Sequence, residues 1–211
     1  MRPEPLEHSR RRSIGEIVAV VATGVVYLVF ENVLHLKLPF LAVCVAGWAI
    51  YLGTRVISDR RVLRDWGFRR DTFAGSAAAC AVFFVIAAGG ILAWRAWRGW
   101  ITPPPSTALL FLVYPVWGLM QQFFIQSLVA GNLERLGAPR AAVVPIAAIL
   151  FGLAHAPDVP LMALCAGAGL AWTSIFLRFP NLVPISLTHA WLGSLAYLMI
   201  LERNPWAEMG L

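Results

Sequence analysis

At 211 residues, with 59% hydrophobic and only 13% charged side chains, this chain falls well below the roughly 25% charged content of a soluble domain. Apolar runs of about 17–25 residues, each long enough to cross a bilayer, recur along its length and leave no room for a separate soluble domain. The net charge of +6 is carried between these runs, so it sets membrane orientation and gives no sign of a nucleic-acid partner.

Behind a basic N-terminus (1–14), the hydropathy pattern predicts an all-α, polytopic transmembrane bundle within a single domain, 15–201, and then a short tail, 202–211. Seven spans are expected, within a range of six to eight, at roughly 15–35, 38–56, 73–94, 107–133, 141–157, 160–178 and 182–201. No small-residue cleavage motif follows residues 17–34, so they are expected to stay as the first helix. Glu31 and His35 are spaced i,i+4 near the end of that helix, either as a proton-relay pair or as interfacial groups reaching for water. The charged linker Ser58 to Thr72, which contains Trp66, reads as an amphipathic interfacial segment or a solvated connector. Trp94, Trp97 and Trp100 fit an aromatic belt.

Span four carries Gln121, Gln122 and Gln126; Gln122 and Gln126 share a face, and Gln121 lies about 100° away. Span five ends near His155, just before Pro157 and Asp158. Ala156–Pro160 reads either as an exposed loop or as a turn inside the membrane. Span six has small-residue pairs, Ala163/Gly167 and Cys165/Gly169, of the kind that lets helices approach closely. Span seven carries His189, with Gly193 one turn on. Cys44, Cys80 and Cys165 all fall within spans and read as small buried hydrophobes.

An N-terminus in the cytoplasm puts 13 of the 17 basic residues inside and 4 outside, which predicts N-in, C-out. Counted from the nearest arginine at about 1.5 Å per residue, Gln121 and His155 lie about 21–22 Å deep and His189 about 16 Å. Polar groups at that depth are costly and persist where they face a bundle interior or each other, so one shared polar pocket is expected. Two histidines without a well-placed third ligand predict no metal site, and no cofactor is expected.

Phe151-Gly152-Leu153-Ala154-His155, and His189 preceded by Pro184-Ile185-Ser186-Leu187-Thr188, resemble two signatures of the CPBP family of intramembrane proteases. That family includes CAAX prenyl endopeptidases and bacteriocin-processing enzymes and is also called Abi. Its pattern is Glu-Glu-x-x-x-Arg on one helix, Phe-x-x-x-His on the next, and a later His-x-x-x-Asn. Leu63-Arg64-Asp65-Trp66-Gly67-Phe68 resembles the segment before the family's third span, and the resemblance covers roughly residues 60–201. The departures are specific. Gln121-Gln122 stand at the Glu-Glu pair, Gln126 at or beside the arginine, and Gly193 at the asparagine.

The resemblance implies a catalytic site at Gln121, Gln122, His155 and His189. In the family, the first glutamate and the Phe-x-x-x-His histidine activate a water, and the last motif stabilises the oxyanion. An amide accepts no proton near neutral pH, so Gln121 cannot serve as general base. Losing such help typically costs about 10²–10⁴ in rate, and losing an oxyanion donor about 10²–10³. The expected function is therefore glutamic-type intramembrane proteolysis of a membrane-associated or lipidated peptide, weak or lost. The alternatives are a pseudoprotease that binds a hydrophobic or lipidated partner and a structural membrane protein. The expected partners are the lipid bilayer and such a peptide, in the bacterial inner membrane.

Overall fold

The structure, a computed structural model, describes residues 6–103 and 105–203. Every regular element among them is helical: α1 (Leu6–Asn32), α2 (Lys37–Ser58), α3 (Val62–Asp65), α4 (Phe73–Arg98), α5 (Leu110–Gln122), α6 (Gly131–Arg135), α7 (Arg140–Leu153), α8 (Val159–Arg178) and α9 (Leu182–Met199). A short 3₁₀ turn, Pro105–Leu109, leads into α5, and a π-helix, Phe123–Ala130, joins α5 to α6. The four pieces form one continuous span, Thr107–Arg135. The expected tail beyond residue 203 and the first five residues lie outside the described part.

Six helices are long and apolar enough to cross a membrane. The fifth predicted span, 141–157, behaves differently. α7 has 14 residues, a rise of about 21 Å, against the roughly 30 Å of a hydrocarbon core. It stops at Leu153, and a turn through Ala154–Asp158 reverses the chain into α8. Asp158 sets the start of α8 by accepting a bond from the Leu161 N–H at 3.1 Å, and Pro160 sits in the first turn.

The core lies between α4, α5, the π-helix, α7, α8 and α9, and α9 is the most enclosed of the six candidate spans. α2 buries no residue fully; Trp48, Leu52 and Val56 lean on the core, and the rest of its apolar surface is left for lipid. What ties the outer helices inward is polar. Glu16 of α1 is buried and accepts from Tyr51 Oη (2.5 Å) on α2 and from Asn132 Nδ2 (2.7 Å) on α6. Arg135 donates to Asn132 Oδ1 at 2.7 Å. A carboxylate in an apolar surround is tolerable only with such partners.

Two close approaches shape the interior. A Cβ added at Gly152 would meet the Met162 carbonyl oxygen at 2.8 Å, and one at Gly169 would meet Ala148 Cα at 3.0 Å. The Cys165/Gly169 face expected from sequence is thus a packing face against α7, whereas Gly167 has open space around it.

The linker is anchored more deeply at one point than either expected form requires. Trp66 is 3% exposed, its ring stands edge-on to Phe123, and its carbonyl accepts from Ser127 Oγ at 2.5 Å. Gly67 makes the turn possible at φ +94°, where a Cβ would also strike the Phe176 ring. The Leu182 N–H then bonds the Gly67 carbonyl, pinning the linker to the start of α9. The Glu31–His35 pair is not formed either. α1 ends at Asn32, His35 lies beyond it at φ +55°, and Glu31 pairs with Lys37 at 2.5 Å. Trp94, Trp97 and Trp100 are exposed near the end of α4, as an interfacial belt requires.

Gly152→Ala should lower the melting temperature in detergent by several degrees, since overpacking typically costs about 1–3 kcal/mol. Gly89→Ala, in open space on α4, should leave it unchanged or raise it.

Candidate functional site

Phe151 is the fixed point of the site. It is 1% exposed, and three rings dock on it: His155 and His189, each with its centroid 5.2 Å away and nearly perpendicular, and Trp172 at 6.0 Å. Trp172 closes the set by lying 5.0 Å from His189. The two histidines named by the sequence, one in the α7–α8 turn and one on α9, are thus brought onto a single aromatic residue. Edge-to-face arrangements of this kind are favourable by about 0.5–1.5 kcal/mol beyond burial.

Each histidine is held differently. His155 Nδ1 lies 2.8 Å from the Phe151 carbonyl oxygen, which can only accept, so the proton is on Nδ1. Nε2 of the neutral ring then carries the lone pair, and Cys165 Sγ sits 3.7 Å from it. Sequence reading had given Cys165 a packing role alone; its place beside His155 depends on how the α7–α8 hairpin folds back, which no local pattern records. His189 is 4% exposed, lies beside the Gly118 backbone, and has no hydrogen-bond partner at Nδ1. Gly118 makes this proximity possible, because a Cβ there would meet the Ser186 carbonyl at 3.1 Å.

The glutamines occupy the same span but form a unit of their own. Gln122 and Gln126 are fully buried, and Gln126 Nε2 donates to Gln122 Oε1 at 3.0 Å. Gln122 is the last residue of α5 and Gln126 lies in the π-helix, where the Gly131 N–H bonds the Gln126 carbonyl five residues back. Such π segments recur at functional sites. Gln122 Nε2, Gln126 Oε1 and Gln121 Oε1 are buried without partners, as are Ser186 Oγ and Ser194 Oγ on α9. No hydrogen bond links Gln121 or Gln122 to either histidine among the described residues.

Gly193, at the asparagine position, faces His189 directly: a Cβ there would lie 3.8 Å from His189 Cδ2 and 3.7 Å from Tyr114, both ordinary contacts. Asp158, the one carboxylate near His155 in sequence, does not orient it. Its side chain caps α8 and pairs with Arg203, and only its backbone N–H touches the His155 carbonyl. Burial pushes the Asp158 carboxyl up, but Arg203 and the Leu161 N–H outweigh this and hold it below its usual value. Among the described residues, no three His, Cys, Asp or Glu side chains gather as a metal site would need.

Residues 97–195 match the family model for type II CAAX prenyl endopeptidase Rce1-like proteins. Over this stretch the chain is similar to the type II CAAX prenyl endopeptidases. The match begins at the end of α4 and runs through the span with the three glutamines, the α7–α8 hairpin and most of α9, so it contains every residue of the candidate site. Comparison with curated proteins and with solved structures found no match.

The amide pair generates a test. Gln126→Leu alone leaves Gln122 with both amide ends unpaired and should destabilise the protein by about 0.6–2 kcal/mol. Gln122→Leu/Gln126→Leu removes both amides together with their unpaired atoms and should recover the loss, as measured by a double-mutant cycle of thermal melts in detergent.

Proposed function

We propose that this CAAX protease-like membrane protein binds a hydrophobic or lipidated peptide at the His155–Phe151–His189 cluster and cleaves it weakly or not at all. The observation that carries the reading is that, among the described residues, no carboxylate hydrogen-bonds either histidine ring; Asp158 and Glu31 act on His155 only through space. The two glutamate positions hold amides, and the Asp158 carboxylate is spent on Arg203 and the α8 cap. His155 Nε2 is the remaining basic atom, and without an acidic partner it gives a water little activation.

Binding is supported by the same geometry. Gln121 Oε1, Ser186 Oγ, Ser194 Oγ and His189 Nδ1 are buried polar atoms without partners, on the two helices α5 and α9. Groups of this kind gain hydrogen bonds from the backbone of an extended peptide drawn into the bundle. The arginine-rich ends of the helices face the cytoplasm on the positive-inside bias. The bacterial inner membrane is the setting this reading assumes.

The complete burial of Gln122 and Gln126 favours a second reading, in which the polar residues only hold helices together. The two separate on His155→Ala. Its ring is only partly enclosed, so the binding reading expects a normal melting temperature with loss of a captured partner. The structural reading expects the melting temperature to fall first.

N-terminal peptide profiling of membranes from cells with wild type, His155→Ala/His189→Ala or a deletion should show no new N-terminus specific to wild type. A cleavage product seen only with wild type would overturn the loss of hydrolysis. Gln121→Glu/Gly193→Asn should gain measurable peptidase activity in purified form, because the space at Gly193 admits a side chain beside His189.

A further inference from the structure

Away from this site, an open cleft of about 340 Å³ lies where α4 and α9 begin, lined by Phe68, Arg69, Arg70, Phe73, Asn181 and Val183. Its position is built, not incidental. Thr72 Oγ1 donates to the Pro180 carbonyl at 2.8 Å, Ser76 Oγ to the Asn181 carbonyl, and Asn181 Nδ2 to the Arg69 carbonyl. The linker and the two helix starts are therefore laced into one wall. Since Phe73–Arg98 and Leu182–Met199 are both membrane spans, their starts lie at a membrane boundary, and so does the cleft.

The cleft has two chemistries side by side. One is cationic. Arg69 and Arg64 share a single acid, Asp71, at 2.6 and 3.2 Å, while Arg70 is exposed with no partner among the described residues. Arg178 stacks on Phe179, whose ring covers Gly75 in the first turn of α4. Arg64, Arg69, Arg70 and Arg178 thus outnumber the acids near them, Asp71 and Asp65, and the N-terminal dipoles of α4 and α9 add to the positive field. Arg69 first, aided by the Asp71 backbone and Arg64, holds the Asp71 carboxyl down to about 2, so the acid stays ionised and paired at any physiological pH. The other chemistry is apolar: Phe73 is 47% exposed, Val183 40% and Phe68 38%.

We infer that this cleft binds an anionic phospholipid, its phosphate on Arg70 and Arg69 and its acyl chain along Phe73 and Val183. A free phosphate would use the arginines but has nothing to lay against the exposed phenylalanines at the membrane boundary; a lipid uses both halves. Basic pockets between spans are a recurring form of headgroup site, and juxtamembrane arginines strengthen anionic-lipid binding by roughly fivefold each.

The test uses the full-length purified chain in mixed micelles with phosphatidylglycerol or phosphatidylcholine, with bound lipid counted by native mass spectrometry. Wild type should retain phosphatidylglycerol over phosphatidylcholine. Arg70→Gln should lose roughly fivefold of that preference, while Arg60→Gln, the same charge change on the same linker outside the cleft, should keep it. Phe73→Ala should weaken retention of both lipids. Equal losses from Arg70→Gln and Arg60→Gln would reduce the effect to general surface charge and overturn the site. So would absence of any preference in wild type. Displacement by millimolar glycerol phosphate as effective as by the lipid would show a small-anion site and overturn the lipid assignment.

Discussion

The close approach of α7 to α8 is the constraint on which the site depends. Without side chains at Gly152 and Gly169, the two backbones come together closely enough to enclose Phe151 completely. A fixed Phe151 ring then gives His155 and His189 a common surface, although one sits in a turn and the other on a separate helix. The same hairpin carries Cys165 to within 3.7 Å of His155 Nε2. Inside a membrane, water exclusion contributes little to helix association, so packing of this kind supplies most of the geometry.

The polar interior follows a second rule, that buried groups in an apolar medium must be neutral or paired. Charges occur where a partner exists: Glu16 with Tyr51 and Asn132, Arg95 with Glu202 at 2.5 Å, and Asp158 with Arg203. The fully buried stretch of the fourth span has no such partner and carries amides instead. Two glutamines share one hydrogen bond across a turn at no ionisation cost, where two carboxylates would repel or force one to stay protonated. The amides therefore leave this stretch electrostatically quiet.

Much of the fold was legible because hydropathy reports what a membrane demands of whole segments. Six of the seven predicted spans are long apolar helices, and the fifth falls short because Leu153 is followed by a turn that leads to Pro157 and the Asp158 cap. The Phe151/His155 and His189 elements were legible as motifs, and the structure joins them. What escaped depends on contacts between residues far apart in the chain: Trp66 docking on Phe123 and Ser127, Cys165 turning toward His155, and Glu16 finding Asn132. The π-helix escaped because its register shift leaves no mark in hydrophobic periodicity. Glu31 and His35 failed as a pair for a local reason: α1 unwinds one residue after Glu31, and Lys37 offers the better partner.

Both ends of the bundle are closed by polar ties of different character, and this difference bears on how a peptide would enter. At the end where α3 packs, the linker is stitched to α9 through Gly67, Thr72 and Asn181, and Trp66 is sealed into the core. Opening that end would break several bonds and expose a large aromatic ring. At the other end, Arg203 and Glu202 hold the last described residues against Asp158 and Arg95, with Glu202 more than half exposed. Water weakens ion pairs of the latter kind, so they release more readily than buried backbone bonds. His155 lies in the turn beside Asp158, directly under this weaker closure. On the proposed binding reading, a peptide would therefore meet least resistance by displacing the segment at Glu202 and Arg203, with the stitched end left closed.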